Sequence, residues 1–338
     1  MKKIDVRDAV GMKLCHDITE MRDGFKGPAF KRNDVIREED VEHLLNIGKR
    51  HVFVWDDEIT EIHEDDCALR MAAAASVPGV RFEGPSEGKM LMFAETEGLF
   101  RLDTDLLREI NHVEDVTVCS VPDHYPVKPG MKLASMRIVP LTTREENILK
   151  VEELCRQREL FKILPYRHLK VGIVITGSEV YHGRIKDKFE PVLRAKLSKY
   201  PADILGVTVC DDVQEMIGNA AASYLEQGAD FLIFTGGMSV DPDDLTPTAI
   251  KSLGADIISY GMPAQPGNMT LVAYMGDVAI MGVPGAAIAL PVTMTDVLLP
   301  QVFTGVKFTR DELIGLGDGG LCQSCSVCHF PNCTFGRY

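Results

Sequence analysis

Residues 229–244 read ADFLIFTGGMSVDPDD, and this stretch decides the fold of the chain's second half. An apolar run, Phe231 to Phe234, stops at Thr235-Gly236-Gly237, and three aspartates, Asp241, Asp243 and Asp244, follow within four positions. A short apolar run without polar alternation is the pattern of a strand buried on both faces. Working outward, KVGIVIT (170–176) and ILGVTVC (204–210) are β-branched runs of the same kind. Helix-like stretches, FEPVLRAKLSKY (189–200) and DVQEMIGNAAASYLEQG (212–228), separate the three runs. Strand–helix–strand succession implies right-handed crossovers, so the segment predicts an α/β domain, a mostly parallel sheet with helices on both faces.

Upstream the rhythm is different. Residues 1–62 read as a small α+β unit: KGPAFKRNDVI carries turn punctuation, and REEDVEHLLNIG places Val41, Leu44, Leu45 and Ile47 near one helical face before Gly48. HVFVW is a short strand after it. Residues 63–143 form a β-rich region opened by the alanine-rich helix CALRMAAAAS, with KMLMFAE and VTVCSV as its clearest strands. REENILKVEELCRQR (144–158) is a charged amphipathic helix and the core of an expected connector over 144–168. The α/β domain then spans 169–305, and a cysteine-rich tail fills 306–338.

A chain of 338 residues holds two or three domains, and its 45% hydrophobic and 25% charged composition is that of a globular protein. A net charge of −14 argues against broad nucleic-acid binding, which needs a basic face. MKKIDVRDAVGMKL lacks the apolar core of a signal peptide, and no run has the length of a membrane span, so the cytoplasm is the expected location. Cys15, Cys67, Cys119, Cys155 and Cys210 are scattered singly, which suits thiols in a reducing compartment.

Ligands of open parallel sheets sit beyond the carboxyl ends of the strands. Two of those ends carry glycine turns here, ITGSEVYHG after the first strand and FTGGMSVDPDD after the third. Glycine lets backbone amides approach a phosphate closely, and a following helix N-terminus adds its positive end. Carboxylates in the same loop would repel a bare phosphate, but they fit a divalent cation such as Mg²⁺ shared with it. DPDDLTP is also good turn chemistry, and Asp244 could instead cap a helix beginning near Thr246.

TGSEVYHGRIKD, GADFLIFTGGMSVDPDD, QPGN and GVPGAA occur in this order, and together they resemble the MoCF (MoaB/Mog) molybdopterin-binding domain over about 169–303. AVGMKLCHDIT and GPAFKRNDVI resemble the leading region of the molybdopterin molybdotransferase (MoeA) lineage. The resemblance implies a site for molybdopterin, its adenylylated form and Mg²⁺. It assigns Thr176, Gly177, Glu179, Gly183 and Asp187 to one side, and Thr235, Gly236, Gly237, Ser239, Asp241 and Asp244 to the other. Pro266, Gly267, Gly282, Pro284 and Gly285 complete the rim. Asp187, Asp241 and Asp244 are the acids it would use to position Mg²⁺.

The chain departs from that pattern in four places. Asp187-Lys188-Phe189 replaces Asp-Ser-Asn, and Ser239-Val240-Asp241-Pro242 replaces Ser-Val-Gly-Asp. Gln265-Pro266-Gly267-Asn268 replaces Lys-Pro-Gly-Lys, and Pro284-Gly285-Ala286-Ala287 replaces Pro-Gly-Asn-Pro. Two cationic anchors for an anionic ligand are therefore missing, each charge-assisted bond being worth about 1.5–3 kcal/mol. Arg184, Lys186 and Lys188 could supply charge from nearby, or simply form a solvated basic face.

The chain ends GGLCQSCSVCHFPNCTFGRY, with Cys322, Cys325, Cys328 and Cys333 spaced C-x2-C-x2-C-x4-C. Four thiolates satisfy tetrahedral zinc, and the first three spacings equally match an iron–sulfur cluster, although Pro331 precedes the last cysteine instead of following it. With Leu321, Val327, Phe330 and Phe335 as its main bulky apolar side chains, the tail has too little surface to fold unaided, so a metal is expected to order it.

These features lead first to a molybdopterin-binding protein of molybdenum-cofactor maturation or delivery, serving a molybdoenzyme client and forming a homodimer as the lineage implies. An active Mg²⁺-dependent molybdotransferase or adenylyltransferase is the enzymatic alternative. A redox or interaction protein whose α/β domain senses a pterin or nucleotide is the third.

Overall fold

The structure is a computed structural model that describes residues 1–22, 24–55, 60–239, 241, 242 and 244–337. Asp243, one of the three loop aspartates, lies outside the described residues. The chain divides into two compact units that alternate along the sequence. The first takes 1–93, 103–120 and 132–160, and the second takes 94–102, 121–131 and everything from Phe161 onward.

In the first unit, strand Lys2–Asp5 pairs antiparallel with His51–Val54, beside the hairpin of Ile18–Arg22 and Phe25–Phe30. Helix Asp40–Asn46 ends with Gly48 at φ 83°, a left-handed stop that glycine takes without steric cost. Val6, Leu14, Ile36, Leu44 and Val54 are buried together as its small core. A four-stranded sheet follows, ordered Val80–Ser86, Lys89–Ala94, Lys132–Ile138, Val116–Ser120. Helices Glu64–Ala74 and Glu145–Gln157 pack on each other beside it, joined by Arg70 donating to both carboxylate oxygens of Glu152 at 2.7 and 2.8 Å. The stretch 144–168 is thus helix first and strand after, since Phe161–Pro165 joins a three-stranded sheet with Gly98–Leu102 and Tyr125–Val127 in the second unit.

The second unit is built on a six-stranded sheet. Its strands are β1 (Leu169–Thr176), β2 (Ala202–Cys210), β3 (Phe231–Thr235), β4 (Asp256–Tyr260), β5 (Leu271–Met275) and β6 (Val278–Val283). The order is β2-β1-β3-β6-β5-β4; the first four run parallel, and β5 and β4 pair antiparallel at one edge. Burial on both faces explains the unbroken apolar runs of β1 and β3, whereas β2, expected to be buried alike, lies at the sheet's edge and is mostly half-buried. Ile173, Ile175, Phe231 and Ile233 point into one core, with Leu193 and Leu197 of helix α2 (Phe189–Leu197). Val174, Leu232 and Phe234 point into the other, with Ile217 and Ala221 of α3 (Gln214–Glu226) and Ile250 of α4 (Thr246–Ser252). Helix α1 (Ser178–Tyr181) follows β1; α5 (Ala286–Ala289) and α6 (Met294–Thr304) follow β6, and α7 (Arg310–Gly315) leads to the tail.

The cysteine-rich tail, expected to order around a metal, lies against the same unit. It docks on the α/β domain instead of forming a core of its own. Phe335 is 2% exposed within the domain's core, with Cys322, Phe330 and Cys333 packed beside it. Gln265 and the tail exchange backbone bonds, Cys322 N–H to Gln265 O at 2.8 Å and Gln265 N–H to Gly320 O at 2.7 Å. Arg337 donates to Pro331 O and His124 O at 2.7 and 3.1 Å and lies 4.5 Å over the Tyr125 ring. Leu321 and Val327 remain exposed. No helix among the described residues is long and apolar enough to cross a membrane.

Candidate functional site

At the carboxyl ends of β3 and β6 a cavity of about 430 Å³ opens. Gly236, Gly237, Ser239, Asp241 and Asp244 from the loop after β3 line one wall. Gly267, Pro284 and Gly285 line the other, with Phe189 at the start of α2 and Asn268 between them. Among the described residues that line it there is no lysine, arginine or histidine. The position is the one at which doubly wound sheets bind ligands.

The glycines of this turn answer first to the protein itself. Gly236 has φ 84°, and a Cβ there would stand 1.9 Å from the Thr176 carbonyl oxygen at the end of β1. A Cβ on Gly237, at φ 53°, would stand 2.9 Å from Thr246 Oγ1. Thr246 is fully buried; its hydroxyl donates to Gly236 O at 2.9 Å and lies 3.1 Å from Thr176 Oγ1. Two strand ends and a helix start are thereby locked to one tight turn. Thr235 completes the lock from β3, donating to Val283 O at 2.9 Å. Gly282 sits in β6 where a side chain would strike Met238, so it makes room for the loop to fold back. The Tyr260 hydroxyl reaches the Met238 and Ser239 carbonyls at 3.0 and 3.1 Å and holds the loop from β4.

Residues 172–304 match the family described as "Probable molybdopterin binding domain" (MoCF). The chain carries a MoCF domain. Residues 3–56 match a second family, a domain of unknown function. Over 125 residues the chain is 31% identical to a molybdopterin molybdenumtransferase of Bacillus subtilis, covering 34% of this chain and 28% of that protein. Over 155 residues it is 26% identical to a molybdopterin molybdenumtransferase of Synechococcus elongatus, covering 43% and 38%. The chain therefore spans between about a quarter and two fifths of the length of these relatives. Among solved structures, the tungsten cofactor synthesizing protein MoaB of Pyrococcus furiosus is 21% identical, with a TM-score of 0.36 over 40% of this chain and 94% of that one.

Within the MoCF domain the first loop stands apart from the cavity wall. Glu179 is exposed on α1, where its backbone carbonyl accepts the N–H groups of Arg184 and Ile185, and Gly183 closes that turn at φ 68°. Gly177 turns the chain from β1 into α1 at φ 144°. Asp187 spends both carboxylate oxygens on the N–H groups of Phe189 and Glu190, at 2.9 and 2.8 Å, and so caps α2. Pro266 lines a different cavity, under the tail. Asp244 does not cap α4, which begins without a side-chain cap; it accepts the Asp241 N–H at 3.1 Å and closes its own loop.

Thr246 and Asp212 are the neighbours that the motifs did not point to. Asp212 accepts the Ser178 N–H at 2.9 Å. Burial raises its carboxyl above the usual range, and the charges of Asp211, Glu179 and Asp244 push the same way. A cation at this edge would relieve that repulsion. The signal in sequence was the pair Asp211-Asp212 just past β2, the one parallel-strand end without a glycine turn.

The four tail cysteines, Cys322, Cys325, Cys328 and Cys333, line that second cavity, of about 220 Å³. Among the described residues, no three Cys, His, Asp or Glu side chains are gathered tightly enough to hold a metal ion. A third cavity, of about 350 Å³, has Lys196 and Asp296 in its wall. Lys196 Nζ meets both Asp296 oxygens at 2.6 and 2.8 Å and also donates to Pro291 O at 3.3 Å.

Proposed function

We propose that this protein binds molybdopterin, bare or adenylylated, in the cavity at the ends of β3 and β6, and that it serves the maturation or delivery of the molybdenum cofactor. What carries the reading is one observation. The glycine turn, the paired aspartates and the Pro-Gly loops meet around a single cavity inside the segment that matches the molybdopterin-binding family. Two relatives of part of the chain bear the name molybdopterin molybdenumtransferase, which points to the same pathway.

The charge of the cavity sets how binding works. A phosphate entering a wall that holds Asp241 and Asp244 and no basic side chain needs a divalent cation between them. Mg²⁺ held by these two carboxylates is therefore part of the proposal, with Asp187 supporting from the capped start of α2. Gln265 and Asn268 stand where the family carries lysines, and the Asn268 amide is turned to the Met262 carbonyl at 2.5 Å. These replacements favour binding and delivery over an insertion reaction. A molybdoenzyme client, a homodimer and a metal held by the tail thiolates belong to the same reading.

The test uses full-length protein purified without oxygen. Mass spectrometry should find a pterin on it, and isolated molybdopterin should rebind at least about tenfold more weakly once Mg²⁺ is removed, a difference of about 1.4 kcal/mol. Asp244→Asn should weaken rebinding in the same way while stability falls by about 1 kcal/mol or less. Rebinding indifferent to Mg²⁺ and to Asp244→Asn would sink the cation part. Release of AMP from the adenylylated pterin would move the protein to the enzymatic reading.

A further inference from the structure

The cavity of about 350 Å³ holds chemistry that the pterin reading leaves unused. Tyr166 and Tyr200 line it just ahead of β1 and β2, so it lies at the opposite end of those strands from the glycine turns. Lys196 and Asp296, 7% and 6% exposed, belong to its wall as a closed pair. Asp296 also accepts the Thr293 N–H at 2.9 Å, and Lys196 also donates to Pro291 O, so this pair has little left to offer a ligand.

Other groups in the wall are unspent. Among the described residues, neither the Tyr166 nor the Tyr200 hydroxyl has a hydrogen-bond partner. Burial raises both phenols above their ordinary value, and the charge of Glu97, in the same wall, pushes the same way, so both keep their protons to donate. Lys128 and Lys199 line the cavity from exposed positions, and neither has an acid partner among the described residues. With the buried pair cancelled, two lysines face one glutamate, a local positive surplus in a chain of net charge −14. Convergent polar groups left unpaired in a cavity are the mark of a ligand site.

The remaining wall is aromatic and held in place. Tyr200 stacks on Phe303 at 4.5 Å and stands edge-on to Tyr166 at 5.2 Å. Phe330 and Pro331 come from the tail, fixed by Arg337 on Pro331 O and by the Tyr125 hydroxyl on Asn332. Fixed aromatic faces suit a planar ring, and a pair of ammonium groups suits a phosphate. The volume is that of a small-ligand site and exceeds what a single ring fills. We propose that this cavity binds a purine nucleoside monophosphate, its base against Tyr166, Tyr200 and Phe330 and its phosphate at Lys128 and Lys199. Glu97 accepts from the N–H or O–H groups of the nucleoside. The site goes beyond the pterin reading and does not depend on it, but it does depend on a docked tail.

The experiment titrates AMP and GMP, each separately, into pterin-free, full-length protein by calorimetry. EDTA is present throughout and removes the Mg²⁺ on which the proposed pterin site depends. At least one of the two should bind once per chain, and its parent nucleoside should bind at least about tenfold more weakly, the loss expected for charge-assisted bonds to the phosphate. Lys128 and Lys199 are exposed, so the double variant Lys128→Ala, Lys199→Ala should stay folded and lose a similar factor. Tyr200→Phe keeps the ring, removes one donor and should weaken binding by less. No binding of either nucleotide at millimolar concentration overturns the proposal, as does unchanged affinity in the folded double variant. A signal that appears only when Mg²⁺ replaces EDTA overturns it too, because it belongs to the cavity at β3 and β6. Pterin rebinding with Mg²⁺ is a separate measurement, so the two readings stand or fall separately.

Discussion

The cavity at the ends of β3 and β6 and the cysteine cavity lie on one domain and share the loop around Pro266, but they are built by opposite means. The first is made by backbone. Strand ends fix its place, and glycines at positive φ let the turns close until they touch Thr176 and Thr246. The second is made by side chains on a segment without regular structure, which is positioned by Phe335, by Arg337 and by two backbone bonds to Gln265. A cavity built by backbone tolerates changes of chemistry at its lining, because its shape does not depend on them. A cavity built by docked side chains keeps its chemistry and depends on a few anchors for its shape.

That contrast can be broken by a change to the backbone frame, which should have the largest effect. Gly236→Val puts a side chain against the Thr176 carbonyl in a conformation that valine avoids. It should cost about 4 kcal/mol or more and abolish pterin binding, measured by denaturant unfolding and ligand titration. Near-normal stability would mean that the turn is not the frame of the site. Gly285→Ala is the control, since φ is −54° and a Cβ there meets nothing within 4 Å.

Next in size is the buried pair that supports the side-chain cavity. Lys196→Met leaves Asp296 buried without its partner and frees the Pro291 carbonyl in the cysteine cavity's wall. The loss should be about 3–5 kcal/mol, and the double change Lys196→Met, Asp296→Leu should recover much of it. If both variants unfold alike, charge imbalance is not the cause.

The smallest effect concerns the tail's anchor and sharpens the comparison by pH. Burial alone would raise the Asp123 carboxyl, but its hydrogen bond to His124, the charges of His124 and Arg101 and the Leu102 N–H outweigh that and hold it at about 2, against an ordinary 3.8. A carboxyl depressed in the folded state stabilises fully above its unfolded value and loses that contribution as pH falls through the folded one. Unfolding measured from pH 5 to 2 should therefore lose about 2 kcal/mol that the Asp123→Asn variant does not lose. His124 also gives its carbonyl to Arg337, so tail proteolysis should rise in the same window. An identical acid profile in both proteins would remove Asp123 from the account.

The two cavities were also legible in opposite ways. Phe231 to Phe234 ending at Gly236-Gly237 told where a cavity would open, because strand burial and glycine turns are written locally. It did not tell why the glycines are needed, since the atoms they avoid belong to Thr176 and Thr246, residues distant in sequence. Asp187 reads as a site acid, and that both its oxygens also cap a helix is something only the partner atoms reveal. At the tail the chemistry was plain in four cysteines, but the place was not. Phe335 and Arg337 looked like ordinary residues of a short segment, and the docking of Gly320 and Cys322 on Gln265, 55 and 57 residues upstream, leaves no periodic trace. Upstream, helix Glu145–Gln157 was legible from its amphipathic face, whereas the strand at Phe161–Pro165 pairs with Gly98–Leu102 and shows no pattern that names its partner.

That last pairing has a consequence for how the chain is made. The second unit draws strands from 94–102 and 121–131 before its main body begins at Phe161. During synthesis from the N-terminus, Gly98–Leu102 therefore emerges well ahead of Phe161–Pro165 and waits for its partner. The first unit, meanwhile, completes itself only at Leu160, after two departures. No single cut frees either unit whole. A gene fragment beginning at the family boundary, residue 172, would omit three strands and the first three residues of β1, so the α/β domain is best studied in the intact chain.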